Sequence, residues 1–290
     1  MPRDGAVGSL SPEEFLEQYL TPGRPVVVRS ALADWNWAPP WELSELKRRF
    51  GASEVPLFDT LFSLEDVSTL AEYADAHTGP EVSGIPPYLR WFAKQSEDQQ
   101  LCADEAFADL ADDWLPPSWL PKGDYVFPQY AGPVDAAHAA FPAKGIFICG
   151  TGGRTRLHVD PWASDACLCQ AVGSKRFIMF PPEAGALLSD GQGGVVDLDR
   201  PDGRRFPHWR EAVPVLDEVL SPGDAIFIPA GWYHTAIALT DSVSITWNFT
   251  HQVHSERFQQ FLANAGGEDP VVAYFRTRKT SDNAPQIRPL

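Results

Sequence analysis

The sequence predicts a mainly β domain, a sandwich or barrel of short strands, with an N-terminal α/β lead-in and C-terminal helices. Three observations carry this. From about Ile146, short apolar runs alternate with Gly and Pro turns: Gly145 to Gly150, Ala166 to Val172, Arg176 to Phe180, Ala225 to Pro229 and Ser242 to Thr250. Helix signals flank this stretch and are sparse within it. Hydrophobic residues make up 44% and aromatic residues 12% of 290 residues, enough for a large core.

Residues 11 to 20 predict a helix, with Ser11 as N-cap, Pro12 at the first helical position, and Glu13 and Glu14 at the positive helix end. Pro22-Gly23 ends it, and the β-branched run from Pro25 to Arg29 predicts a strand. Trp41 to Phe50 predicts a second helix closed by Gly51, and Val55 to Phe58 a short strand. Leu64 to Ala76 reads as helical, Tyr88 to Phe92 as a strand, and Phe107 to Leu115 as a short helix ended by Pro116-Pro117. Gly185 to Arg205, rich in Gly and Asp, reads as an exposed loop. Ser221-Pro222-Gly223-Asp224 is a tight turn into the strand from Ala225. Ser255 to Ala263 and Pro270 to Phe275 read as helices, and the last dozen residues as a loose tail. The expected organisation is one domain over 1–290: lead-in 1–140, β core 141–250, C-terminal helices and tail 251–290.

A formal net charge of −16 argues against a nucleic-acid partner, because gripping that backbone needs clustered Lys and Arg. No apolar run approaches a membrane span or a signal peptide, so a cytoplasmic protein is expected. The cysteines, Cys102, Cys149, Cys167 and Cys169, form no C-x-x-C pair and read as buried small hydrophobes.

The chemistry centres on His158-Val159-Asp160. On a strand, residues two apart share a face, so an imidazole and a carboxylate converge. Alone the motif is weak. With 7 His and 39 acidic residues it arises about once by chance, and His254-Ser255-Glu256 at a helix start is a second instance, read as surface residues capping the helix. A third ligand is offered by His234, just past the turn Ala230-Gly231-Trp232-Tyr233. Two His and one carboxylate leave three positions of an octahedral metal open, the arrangement of non-haem Fe(II) oxygenases. If 2-oxoglutarate chelates that iron, its far carboxylate needs a buried cation and hydrogen bonds. Lys175, opening a strand after Gly173-Ser174, and Thr155, three residues before His158, are placed to supply them; Arg176 alternates to the opposite face. Trp162, Trp232 and Tyr233 are weighed as pocket walls against plain packing.

The segments Thr155 to Asp160, Gln170 to Pro182, Leu220 to His234 and Ser244 to Phe249 together resemble the jumonji-C (cupin-like) family of Fe(II)/2-oxoglutarate-dependent oxygenases. Phe15 to Phe50, with Pro25 to Arg29 and Asp34-Trp35, is similar to that family's lead-in. The resemblance implies a double-stranded β-helix (jelly roll), with iron held by His158, Asp160 and His234. It also implies 2-oxoglutarate contacts from Thr155 and Lys175, with Asn248 near the co-substrate, and O2 as second co-substrate. Many members carry an Asn shortly after the His-x-Asp motif. Here Ala166-Cys167-Leu168-Cys169 occupies that strand, so a polar contact is missing or comes from elsewhere. The expected activity is hydroxylation of an amino-acid side chain in a peptide or protein. The alternatives are a small molecule or free amino acid as substrate, N-demethylation, a non-oxidative metal-binding cupin, and a protein-binding pseudoenzyme. The resemblance also suggests a homodimer through the C-terminal helices.

Overall fold

The computed structural model describes residues 6–33, 35, 40–82, 84–96, 98–127, 143–265 and 269–277. Fourteen strands are described, in chain order β1 Ala6–Val7, β2 Val26–Val28, β3 Glu54–Phe58, β4 Leu64–Thr69, β5 Tyr88–Phe92, β6 Tyr125–Phe127, β7 Lys144–Cys149, β8 Arg154–His158, β9 Asp165–Val172, β10 Lys175–Phe180, β11 Leu216–Leu220, β12 Ala225–Ile228, β13 Tyr233–Ala238 and β14 Ser242–His251. They form two sheets. One runs β1-β2-β12-β9-β14-β7-β5-β3-β4, with β6 also paired to β14; the other runs β11-β10-β13-β8. The non-consecutive order and the antiparallel pairing of β9, β12 and β14 are those of a jelly roll. The lead-in is part of this core: β2 pairs with β12, and β5 with β7.

The largest apolar cluster lies on the outer face of the large sheet. There Phe15, Trp41, Trp119 and Trp247 are fully buried with Cys167 and Cys169. These two thiols are the small core residues that were expected. A second cluster, with Phe177, Met179, Ile226 and Ile228, fills the space between the sheets.

Most helices stand where their caps predict. Ser11 accepts a hydrogen bond from Glu14 N, and Glu14 reaches back to Ser11 N, closing a capping box before Pro12–Phe15. The following residues, Leu16–Leu20, widen into a π-helical turn. Leu43–Phe50, Ser255–Asn264 and Pro270–Thr277 are helical.

Three expectations are corrected. Leu64 to Ala76 is not one helix: Leu64–Thr69 is β4, and the helix is Leu70–His77. Thr69 and Glu72 form a capping box that starts the helix there, while Val67 pairs with Pro56 on β3. The helix expected at Phe107 to Leu115 lies earlier, at Asp104–Asp109, with two acids in its first turn. The Gly185 to Arg205 segment is not a free loop. It opens with the helical turn Gly185–Leu188, and Leu188 and Val196 are buried together against Leu157 and Phe180.

The C-terminal helices spend their apolar residues inside the chain: Phe258, Val272 and Phe275 pack with Phe127 and Ala143. The expected homodimer through these helices finds no support there. Asp34 and the C-terminal tail lie outside the described residues. Among those described, no helix is long and apolar enough to cross a membrane.

Candidate active site

His158 closes β8, His234 lies near the start of β13, and the two are register partners across this antiparallel pair. Their rings lie 4.2 Å apart. Asp160, two residues past His158, places Oδ1 3.5 Å from His158 Nε2 and 3.7 Å from His234 Nε2. The three donor groups lie within 4.8 Å of one another. Each imidazole is oriented by its other nitrogen. His158 Nδ1 is 2.9 Å from the Arg156 carbonyl, and His234 Nδ1 is 3.1 Å from the Trp232 carbonyl. A carbonyl only accepts, so each Nδ1 carries the proton and each Nε2 lone pair faces Asp160.

The electrostatics agree with this arrangement. Burial, helped by the charge of His158, lowers the His234 pKa to about 4, so its imidazole is neutral near pH 7. Burial opposes ionisation of Asp160. The neighbouring His234 and His158 outweigh it and hold the carboxyl below its ordinary range, with Asn248 Nδ2 donating to Oδ2 at 3.3 Å. Two imidazoles and one carboxylate, converging on one point, suit a single first-row divalent metal. After Asp160-Pro161 the chain reverses through two left-handed non-glycine residues, Trp162 (φ 62°) and Ala163 (φ 48°).

Thr155 reaches the same cavity only because β8 is irregular. His158 pairs with His234, but Thr155 pairs with Ala236, so Arg156 and Leu157 together oppose the single residue Thr235. In a regular strand, residues three apart face opposite ways. This bulge returns Thr155 to the side of His158. Thr235 Oγ1 donates to the Thr155 carbonyl at 2.7 Å within it.

Lys175 opens β10 and is 1% exposed. Its Nζ donates to Tyr88 Oη at 2.7 Å and Ser244 Oγ at 2.6 Å, and Ser244 donates to Gln170 Oε1 at 2.9 Å. Among the described residues it has no carboxylate partner, and burial lowers its pKa to about 8. Arg176, by contrast, is exposed and paired with Asp217.

These groups surround a cavity of about 660 Å3 lined by Tyr88, Thr155, His158, Asp160, His234 and Asn248. Phe58, Phe62, Phe92, Phe147, Trp162 and Phe177 supply most of its apolar wall. Ala166 and Leu168 also face it, so the strand that lacks the expected Asn is apolar here. Asn248 is the register partner of Ala166, and its carboxamide is spent on Asp160 and Ser164. Trp162 lines the cavity. Trp232 instead packs between the sheets with its Nε1 donating to the Gly23 carbonyl, and Tyr233 packs against the cluster of Leu157, Phe180 and Leu188. A separate depression of about 780 Å3 around His77 and Pro86 touches none of these residues.

The sequence reading missed Tyr88, Ser244 and Arg90. Tyr88 and Arg90 alternate on β5 toward the interior, but an aromatic strand remote from the His-x-Asp motif carries no sign of that proximity. His254 holds the N-cap position of the helix but its side chain makes no capping bond; instead its Nδ1 lies 3.1 Å from Asp165 Oδ2. Asp165, fully buried, also accepts from Arg257 and from Ala230 N, tying the helix Ser255–Asn264 to the turn that presents His234.

Comparison with known proteins gives the same picture. A family model described as a cupin-like domain matches residues 12–255. The chain is 26% identical over 250 residues to lysine-specific demethylase 8 of Xenopus tropicalis, covering 81% of this chain and 51% of that protein. It is 25% identical over 279 residues to 2-oxoglutarate and iron-dependent oxygenase JMJD4 of Mus musculus, covering 86% and 60%. It is 28% identical over 188 residues to tRNA wybutosine-synthesizing protein 5 of Danio rerio, covering 64% and 51%. The chain thus spans between 51% and 60% of the length of these relatives.

Proposed function

The chain belongs to the cupin-like, jumonji-C family of iron- and 2-oxoglutarate-dependent oxygenases, and on that premise we propose that it hydroxylates an amino-acid side chain of a peptide or protein. The observations that carry this reading are the convergence of His158, Asp160 and His234 on one point and a buried Lys175 with no carboxylate partner among the described residues, bonded to the cavity-lining Tyr88. A metal-binding cupin without oxidative chemistry has no need of the second feature.

His158, Asp160 and His234 would hold iron(II). Bound there with 2-oxoglutarate, the metal supplies oxygen activation coupled to oxidative decarboxylation to succinate and carbon dioxide. The chain's own residues do the rest. The Arg156 and Trp232 carbonyls fix the imidazole tautomers, and Asn248 holds the outer oxygen of Asp160. Lys175 hydrogen-bonds Tyr88 from behind the wall, so its charge backs the Tyr88 hydroxyl. With Thr155, this supports a receptor for the far carboxylate of 2-oxoglutarate. The aromatic wall excludes water and orients the substrate. We read residues 1–290 as one catalytic domain.

Three relatives are named as demethylases and one as a tRNA wybutosine-synthesizing protein. The net charge of −16 weighs against an RNA substrate. Hydroxylation of an N-methyl carbon would release formaldehyde, so one experiment separates the outcomes. Protein loaded anaerobically with iron(II) is titrated with 2-oxoglutarate, then exposed to oxygen with a peptide library. Iron-dependent succinate with a peptide gain of one oxygen supports the proposal. Formaldehyde with loss of a methyl group would replace it with demethylation. Absence of both 2-oxoglutarate binding and succinate would overturn it.

A further inference from the structure

Arg90 lies on β5 two residues from Tyr88, on the same face, and is fully buried. It has no ion pair with a carboxylate among the described residues. A buried guanidinium without a counter-ion is costly, and an aliphatic side chain would pack there without that cost. Its two terminal nitrogens point to different parts of the active site. One, Nη2, donates to Thr155 Oγ1 at 3.0 Å. The other, Nη1, donates to the Asp59 carbonyl at 3.0 Å. The guanidinium carbon lies 4.0 Å from the ring centre of Phe62 and 4.3 Å from that of Tyr88.

Asp59 begins the tip of the β3–β4 hairpin. Its own carboxylate is used within that tip, accepting from Leu61 N and Ser63 N. The tip also docks on β8, where Arg156 N donates to the Thr60 carbonyl. Phe62 is held at φ +68°, a left-handed conformation that bulky residues rarely adopt. Its ring lies 5.2 Å from that of His158 and forms one wall of the cavity. Arg90 therefore bridges the tip that carries this wall to the hydroxyl at Thr155.

The hydroxyl chemistry gives the bridge a direction. A guanidinium only donates, so Thr155 Oγ1 accepts from Arg90 and its own proton is turned elsewhere. The Tyr88 hydroxyl, accepting from Lys175, is constrained in the same way. Two cavity hydroxyls, each backed by a buried cation, are thus both available as donors to one carboxylate. Resting on the oxygenase reading above, we propose that Arg90 is a positioning residue that sets the Thr155 hydroxyl as a donor to 2-oxoglutarate and couples its binding to the Asp59–Ser63 tip and Phe62. A carboxylate on Thr155 polarises the hydroxyl and strengthens its bond from Arg90, which stiffens the tip. Co-substrate binding then precedes formation of a firm substrate-side wall.

The test uses the full chain loaded with iron(II) without oxygen, and two readouts: 2-oxoglutarate affinity by calorimetry, and hydrogen exchange of residues 59–63 with and without 2-oxoglutarate. In the wild type, 2-oxoglutarate slows exchange at the tip. Arg90→Met weakens 2-oxoglutarate binding by about tenfold or more, leaves iron affinity within about twofold, and abolishes the slowing. Arg90→Lys recovers part of the affinity without the slowing, because one ammonium cannot span both partners in the same geometry. Thr155→Val, a change on a different strand, also abolishes the slowing at 59–63, whereas Thr155→Ser keeps it. The threonine pair tests the coupling even if Arg90→Met does not fold. Wild-type-like 2-oxoglutarate binding by Arg90→Met overturns the proposal, as does tip exchange in the wild type that ignores 2-oxoglutarate. A wild type that binds iron but no 2-oxoglutarate overturns the oxygenase reading itself, and the role of Arg90 with it.

Discussion

His158 and His234 stand directly opposite each other across the β8–β13 pair, and their Nε2 atoms lie 3.5 and 3.7 Å from the same oxygen of Asp160. Cross-strand register therefore builds the proposed metal centre, and the loop after β8 adds the carboxylate. Replacing either histidine by Ala is expected to abolish iron(II) binding while the sheets persist. Asn248→Ala, which frees the outer oxygen of Asp160, should weaken iron by about 10- to 100-fold. Metal titration followed by far-UV circular dichroism checks both; an Asn248→Ala protein with wild-type iron affinity would remove this residue from the site.

Lys175 makes a prediction about pH. Its pKa falls from the ordinary lysine value of 10.5 to about 8 because burial disfavours its charge. A depressed lysine pKa means that the unfolded chain binds more protons between these values. The cost of burying the charge is present in full below pH 8 and is relieved as pH rises toward 10.5. Without ligands, Lys175→Met should be more stable than the wild type near pH 7 by on the order of 3 kcal/mol, with the gap constant at lower pH and closing as pH rises above 8. Urea unfolding at several pH values measures it, and Lys175→Met should bind no 2-oxoglutarate at any of them.

The bulge in β8 rests partly on Thr235, whose hydroxyl donates to the Thr155 carbonyl inside it. Thr235→Val should cost about 1 kcal/mol of stability. It should also raise the 2-oxoglutarate KM with little change in iron affinity, because Thr155 moves while His158 stays paired. Steady-state kinetics beside metal titration would separate these effects.

Asp165 joins two distant parts of the chain through one buried carboxylate. Asp165→Ala is expected to lower stability by about 2 kcal/mol, since it removes charge-assisted hydrogen bonds to His254 and Arg257 and one from Ala230 N. It should loosen the helix Ser255–Asn264 and, through Ala230, weaken metal binding at His234. Faster hydrogen exchange confined to that helix, with intact iron affinity, would show that the second link is not made.

The local elements that the sequence expressed well were those with a strong local cause. Ser11-Pro12 with Glu14 forms its capping box, and the apolar runs around Ala166, Ala225 and Ser242 become buried central strands. Leu64 to Ala76 misled because its apolar residues fit a helix and a strand alike, and the Thr69 cap decided the boundary. β11 escaped notice because Leu-Asp-Glu-Val-Leu is an edge strand with only its ends buried. The C-terminal helices suggested a partner surface, yet their apolar face was completed by Phe127 and Ala143.

By itself, the sequence offered the candidate site residues: the histidines, the aspartate, the lysine and the turns that present them are residue types whose signal is local. Tertiary structure decided which of them meet. A one-residue bulge reverses the facing of a side chain, so the presence of Thr155 beside His158 depends on how β8 pairs with β13 and cannot be counted off along the chain. The same holds for Arg90 and Tyr88, which become part of the site only because β5 joins β7 at the inner face of the sheet. Contacts between segments so far apart in sequence depend on the register and packing of the whole β structure, and no short segment encodes them.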